Sequence, residues 1–182
     1  KKIIAFLYLR KMFTKTDIEN YFTGEKTQAA IVFFIGLAML IFAIVALLFL
    51  KKQSWNGIAI AAGILAIIQL CLGGIVYQRS DKQRTDMVYN FDMNPQKIID
   101  EEIPRMQQVN SNFTIYRICE LITLAAGIFL IFAFRGNVSK QFWIGIGIAL
   151  VIQSIIFLAI DSIAAKRAKT YTEKMVSFYQ KN

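Results

Sequence analysis

WNGIAIAAGILAIIQLCLGGIVYQR, which runs from Trp55 to Arg79, returns in altered form as WIGIGIALVIQSIIFLAIDSIAAKR, which runs from Trp143 to Arg167. Both stretches are apolar over about 20 residues, which is the length that an α-helix needs to cross about 30 Å of hydrocarbon. In lipid each backbone polar group must be paired within the chain, so such a run is a helix and not a strand. These stretches therefore predict an all-α integral membrane protein.

The composition of the whole chain agrees with this fold class. Of the 182 residues, 56% are hydrophobic, against roughly 45–50% in soluble domains, and the mean hydropathy is +0.48. The apolar residues are grouped in four blocks of spanning length. The sequence predicts transmembrane helices at Gln28 to Leu50, Ser54 to Tyr77, Phe113 to Phe134 and Gln141 to Ala165.

Lys and Arg residues lie mostly on one side of the predicted spans. Residues 1–27 carry six, the central loop five and the tail five, whereas each short turn carries two. Because cytoplasmic loops are enriched in Lys and Arg, we expect both termini and the central loop in the cytoplasm, below a plasma or inner membrane. The net charge of +9 favours contact with anionic lipid headgroups over nucleic acid, because the basic residues flank the spans.

The opening KKIIAFLYLRK has a basic start, but its apolar core is short and no small-residue cleavage site follows, so we expect no cleaved signal peptide. An amphipathic segment that lies on the cytoplasmic face of the membrane fits this pattern better. The predicted organisation is this segment (1–27), a first unit of two spans and an extension (28–93), a cytoplasmic connecting helix (94–112), and a second unit with a tail helix (113–182).

The two quoted stretches align without a gap at a constant offset of 88 residues. Shared Ile and Leu are common among membrane spans, but shared Trp, Gly and Arg are not. Upstream, LIFA at Leu40–Ala43 recurs at Leu130–Ala133, an offset of 90. We interpret the chain as two copies of one hairpin. Because each copy contains two spans, the copies run parallel and their pseudo-twofold axis lies along the membrane normal.

Small residues recur at equivalent positions of the second and fourth predicted spans. Gly57 and Ala61 are separated by three residues, as are Gly145 and Ala149. This spacing lets helix backbones approach closely. We expect these residues to pack the two spans on each other, and a contact between copies of the chain in a homo-oligomer is the alternative.

Charged side chains lie inside the predicted spans only in the second unit. Asp161 stands where the first unit has Gly73, and at helical rise it lies roughly as deep as Arg117 on the neighbouring span. Glu120 shares a helix face with Arg117. Because ionisable residues in spans are costly without a partner, we expect a structural clamp of Arg117 and Asp161 with Glu120 as a third member. An ion or proton site, or interfacial charges without fixed partners, are the alternatives.

The sequence contains little that is typical of catalysis. It has no histidine, no Gly-rich phosphate loop and no serine nucleophile with a partner base. Cys71 and Cys119 lie inside predicted spans without metal-ligand or redox spacing, so we expect them to be small core residues in a reducing setting. We therefore expect neither enzymatic activity nor a cofactor or metal.

The connection between the two units and the tail after the fourth span both have helical patterns. Asn94 followed by Pro95 is typical of a helix start, and Pro104 is expected to kink that helix. An acidic cluster in it could pair with the basic tail or offer a docking face to a partner. Its members are Asp100, Glu101 and Glu102.

These features predict a non-catalytic four-span membrane protein that acts by protein–protein interaction, as an accessory subunit, a regulator or an immunity-type protein. The predicted partner is a protein of the membrane or the cytoplasm. The alternative function is a small ion channel or transporter that uses the charged trio. The alternative is weaker because a conduction path needs polar residues along its length, and few lie near the bilayer centre.

Overall fold

A computed structural model describes residues 13–179, and all regular secondary structure in that part of the chain is helical. The predicted segment 1–27 lies partly outside the described residues. Four long helices follow one another, and each is long and apolar enough to cross a membrane, as predicted. They are α1 from Lys15 to Phe49, α2 from Gln53 to Met93, α3 from Pro95 to Ala133, and α4 from Gln141 to Tyr179.

The first helix begins at a capping box. The backbone N–H of Asp17 donates to the hydroxyl oxygen of Thr14, and the backbone N–H of Thr14 donates to the Asp17 carboxylate at 3.0 Å. This reciprocal pair satisfies two backbone donors that the first helical turn leaves free. Residues 15–27 are therefore continuous with the first apolar run, and the predicted boundary at residue 27 falls inside α1.

The third helix starts where its sequence predicted, with Asn94 at the N-cap and Pro95 in the first turn. It contains a π-helical turn from Ile98 to Glu102, directly before Pro104. Proline has no N–H and its ring clashes with the carbonyl four residues earlier, so the regular α-helical bond cannot form there. The wider turn accommodates the proline, with the N–H of Ile103 bonded to the carbonyl of Ile98.

The helices pack as two hairpins joined through their second members. Helix α1 packs along α2, α3 along α4, and α2 along α4, with a smaller contact between α1 and α4. The turns differ, because residues 50–52 join the first pair, whereas residues 134–140 join the second. The longer turn contains a 3₁₀ turn from Val138 to Lys140 and Gly136 at φ 86°, a backbone conformation that favours glycine.

Most of the buried apolar side chains lie at the end of the assembly where α1 begins and α4 ends. We call this part the end bundle, defined as residues 13–27, 78–112 and 166–179. As predicted, α4 continues unbroken through it to Tyr179. The predicted spans are held mainly by small residues, including a buried cluster of Ala43, Ala46, Ala59 and Ala62 between α1 and α2.

Candidate functional site

The end bundle is built around an aromatic cluster that joins both ends of the described chain. The ring of Phe13 lies 5.5 Å from that of Tyr171 and 5.8 Å from that of Phe91, in edge-to-face geometry that aromatic rings prefer. Tyr21 and Phe22 of α1 complete the cluster. Its buried members are Phe13, Ile18, Tyr21, Phe22, Met87, Ile98, Ile103, Met106, Ala168, Tyr171 and Met175.

A buried ion pair lies inside this cluster. Arg105 donates from Nε and Nη2 to the two carboxylate oxygens of Glu102 at 2.6 and 2.7 Å, and the side chain of Glu102 is only 7% exposed. The hydroxyl of Tyr171 donates to the same carboxylate at 3.4 Å. Burial lowers the pKa of Arg105, but the paired Glu102 carboxylate raises it further, so the guanidinium stays charged. The pair is fully compensated and does not resemble an acid–base site.

The three acidic residues predicted as a cluster in the connecting helix all lie within the π-helical turn, and their side chains have different partners. Glu102 points inward to Arg105, whereas Asp100 accepts from Gln96 at 3.0 Å and Glu101 pairs weakly with Lys97. Among residues 13–179, none of these three carboxylates forms an ion pair with a basic residue of the tail, so the pairing that the sequence left open is not seen there. The wider turn changes the angular position of the residues that follow, which sequence spacing for a regular α-helix does not anticipate.

Ion pairs connect α1 with α2 and with α4 in the end bundle. Lys174 Nζ donates to Asp17 Oδ1 at 2.6 Å, and Lys15 pairs with Asp92 at 2.5 Å. Burial raises the pKa of Asp17, but the hydrogen bonds from Lys174 and Thr14 outweigh burial and hold its pKa below the ordinary value. Further pairs join Lys26 with Asp81 and Arg79 with Glu25.

The charged trio of the second unit is only partly assembled. The carboxyl groups of Glu120 and Asp161 lie near enough to interact, whereas the ion pairs of residues 13–179 do not include Arg117 with either of them. The predicted clamp of Arg117 and Asp161 is therefore absent from the described chain. The Arg117 side chain is exposed and lines a cavity together with Ser162 and Lys166.

The four small residues predicted to pack α2 on α4 are all buried, and both glycines lie at the contact. A Cβ atom added to Gly57 would collide with the carbonyl oxygen of Phe142. One added to Gly145 would collide with the carbonyl oxygen of Ser54. Only glycine permits this separation of the two backbones, so both positions are required by the packing.

Polar side chains within the predicted spans occupy different environments. Gln69, Gln153 and Ser154 are buried, and Gln69 Nε2 lies 3.6 Å from Met39 Sδ on α1. The two cysteines, in contrast, are free and exposed on the helix surface. The prediction that they are core residues is wrong, because hydropathy does not distinguish a side chain that faces another helix from one that faces outward.

Two cavities lie at the border between the end bundle and the predicted spans. The smaller, of about 340 Å³, lies between α1 and α4, where Arg167 donates to Gln28 Oε1 at 2.7 Å. Burial lowers the pKa of Arg167. The larger, of about 560 Å³, lies between α3 and α4, and Arg117, Lys166 and Lys169 contribute to its walls.

The residues that dominate the end bundle are not among those that the sequence pattern predicted. Tyr21 and Phe22 precede the first predicted span, and the Glu102 to Arg105 spacing was visible as a helical i, i+3 pair. Neither feature of the sequence shows which residues of the other helices pack against these side chains. In residues 13–179 no group of three or more His, Cys, Asp or Glu side chains could hold a metal ion.

The chain was also compared with known proteins. No family model, no curated protein and no solved structure matches it.

Proposed function

We propose that this chain is a four-span membrane protein without catalytic activity that acts by binding another protein through its end bundle. The observation that carries the proposal is that the end bundle is a folded body with its own aromatic core and its own network of ion pairs. A protein that needed the bundle only to link its spans could use short turns, as the opposite end of the assembly does.

The membrane topology is part of this proposal. Four apolar helices of 35 to 41 residues, each with a strongly apolar window, support insertion. The excess of Lys and Arg at the end bundle supports a cytoplasmic location for both termini, in a plasma or inner membrane.

We also propose that the two hairpins are copies of one unit. The glycine contacts support this because they are reciprocal. Phe142, which lies against Gly57, is 88 residues after Ser54, and Ser54 lies against Gly145, which is 88 residues after Gly57. A twofold axis between α2 and α4 produces such a pattern.

The register of α3 differs from the one that the LIFA match predicted. Gly63 lies beside Ala43, whereas Val151, which is 88 residues after Gly63, lies beside Gly127. When positions of α1 and α3 are matched by the residues that they contact on α2 and α4, Ala43 corresponds to Gly127, so the offset is 84 residues and not 90. The longer turn of residues 134–140 accounts for the difference, since four more residues separate the paired positions in the second hairpin.

The exposed face of α2 in the end bundle is the proposed contact surface. Tyr89 is 62% exposed and Met93 68% exposed, and no other large apolar side chain of the described end bundle is comparably exposed. Lys82 and Asp86 share this face at helical spacing and are also exposed. Tyr and Met are enriched in the cores of protein interfaces, with charged residues at the rim.

The test is copurification from native membranes in mild detergent, combined with a photo-crosslinking residue at Met93. We expect a stable, stoichiometric partner that crosslinks at position 93 and is lost when Tyr89 is replaced by Lys. The matched control places the crosslinker at Gln108, which is exposed on α3 in the same bundle. Purification of a lone chain or lone oligomer that crosslinks to nothing at position 93 would reject the interaction proposal.

A second candidate function, a small ion channel or transporter, is favoured by the contact of Glu120 with Asp161 between two predicted spans. Two carboxyl groups in an apolar setting could exchange a proton or hold a cation. Its test is cation or proton flux into liposomes that contain the purified chain. Flux that Asp161→Asn abolishes would support this candidate, and absence of flux would reject it.

A further inference from the structure

We infer that the larger cavity, between α3 and α4, binds the phosphate group of an anionic lipid headgroup. The inference rests on the membrane insertion proposed above, but it does not require a protein partner. The cavity has a volume of about 560 Å³. Its polar lining residues are Asn110, Thr114, Arg117, Ser162, Lys166, Lys169, Thr172 and Glu173.

The position of the cavity matches the headgroup layer. Phe113 and Thr114 lie at the predicted start of the third span, and Ser162 and Ala165 lie at the predicted end of the fourth. A cavity at this level opens to the polar layer of the inner leaflet. Basic pockets between transmembrane helices on the cytoplasmic side are suited to lipid headgroups.

The residues that line the cavity carry a net positive charge, because Arg117, Lys166 and Lys169 outnumber Glu173. The ion pairs of residues 13–179 leave Arg117 and Lys166 without an acidic partner. Lys169 has only a weak contact with Glu173, at 3.9 Å, and both of these side chains are largely exposed. The Arg117 and Lys166 side chains line the same cavity, so its net charge is positive and favours an anion.

The first hairpin shows that the packing of the helices does not need this charge. In the contact register, Arg117 and Lys166 correspond to the uncharged residues Phe33 and Gln78. Helices α1 and α2 therefore pack at the equivalent level without these two cations, so the packing of the second hairpin does not explain them.

Hydrogen-bonding groups are available beside the cations. Asn110 Nδ2 donates to the backbone carbonyl of Met106 and to Thr172 Oγ1 at 2.8 Å, which fixes one wall. The hydroxyl of Thr114 and the guanidinium of Arg117, which lie one turn apart on α3, can both donate to phosphate oxygens. Arg offers paired donors that match two of those oxygens, and Lys adds a point charge.

The test uses the purified full chain and counts bound phosphatidylglycerol by native mass spectrometry, with phosphatidylcholine as the neutral comparison. We expect preferential retention of phosphatidylglycerol. The variant with Arg117→Gln and Lys166→Gln should bind it roughly 30-fold more weakly, because each cation near anionic headgroups contributes about 1 kcal/mol. The matched control, Lys51→Gln with Lys52→Gln, removes the same charge from the exposed turn at the opposite end and should leave retention unchanged.

Two further measurements separate a loss of the binding site from a loss of folding. The charge-conserving variant Arg117→Lys with Lys166→Arg should keep most of the binding, and the Gln variant should unfold at the wild-type temperature in phosphatidylcholine. Displacement of phosphatidylglycerol by inorganic phosphate alone would assign the site to free phosphate and overturn the lipid source. Equal retention by the wild-type and Gln variants would overturn the site and leave the interaction proposal standing, because no partner is present in this experiment.

Discussion

Tyr21 and Tyr171 stack face to face, with ring centroids 4.3 Å apart and ring planes 15° apart. The first side chain belongs to the start of α1 and the second to the end of α4, and both are buried. The stack therefore joins the two outermost parts of the described sequence. Burial is also the main reason why the pKa of each tyrosine is raised, so neither ring ionises near neutral pH.

Replacing Tyr171 by Ala should destabilise the end bundle by roughly 3–5 kcal/mol, because it leaves a cavity where an aromatic ring was buried. Tyr171→Phe keeps the stack and loses only the hydrogen bond to Glu102, so we expect a loss of about 1 kcal/mol. Amide hydrogen exchange of residues 15–27 measures both effects. Tyr89→Ala, at an exposed position of the same bundle, is the control and should change stability by less than about 0.5 kcal/mol.

Gly57→Leu and Gly145→Leu should each lower thermal stability in detergent. Each new side chain meets a backbone carbonyl of the opposite helix, which cannot rotate aside as a side chain can, so α2 and α4 must separate. We expect the free energy of unfolding of each variant to fall by about 1–3 kcal/mol. Gly63→Ala is the control, since a Cβ atom there would lie 3.6 Å from its nearest neighbour, an ordinary contact. Unchanged melting of both Leu variants would show that the two helices do not meet at these residues.

The pair of Asp17 and Lys174 should make stability depend on pH at the acidic end. The pKa of Asp17 is lowered in the folded chain, so its contribution is complete above the ordinary value of 3.8 and is lost as pH falls through the lower folded value. Lys174→Gln should reduce this dependence in unfolding curves recorded at acidic pH. Lys169→Gln is the control, because that lysine is 74% exposed. Identical acid curves for wild-type and Lys174→Gln would contradict the pairing.

Double-mutant cycles separate the members of the charged trio. Arg117→Leu and Asp161→Gly should have additive effects on stability, within about 0.5 kcal/mol, because the two side chains do not pair. Glu120→Gln and Asp161→Asn should be coupled by about 0.5–3 kcal/mol, because their carboxyl groups lie near each other. Strong coupling of Arg117 with Asp161 would restore the clamp that the sequence predicted.

Cysteine labelling tests the proposed topology. In a background with Cys71 and Cys119 replaced by Ala, a cysteine at Asn137 should react with an impermeant reagent added outside intact cells. A cysteine at Gln108 should react only after the membrane is opened. Both positions are exposed, so access and not burial decides the outcome. The reverse pattern would overturn the orientation inferred from Lys and Arg.

Hydropathy and spacing predicted the long helices, the helix start at Asn94 and the small residues between α2 and α4. These features depend on local chemistry or on matching stretches that are visible in the sequence itself. The inward turn of Glu102 could not be predicted, because it depends on how the chain adjusts to Pro104. The partner of Arg117 was also mispredicted, since depth along a helix gives the height of a residue and not its angular position.

Helices α2 and α4 run without interruption from the two turns into the end bundle, so in the proposed membrane topology a movement of the spans reaches the bundle directly. A helix whose apolar stretch is longer than the hydrocarbon is thick accommodates by tilting. In a thinner bilayer both helices would lean, and their far ends would be displaced in proportion to their length. In the proposed topology, the separation of Tyr89 from the membrane surface would therefore depend on bilayer thickness, and binding at the proposed contact surface would be sensitive to lipid chain length.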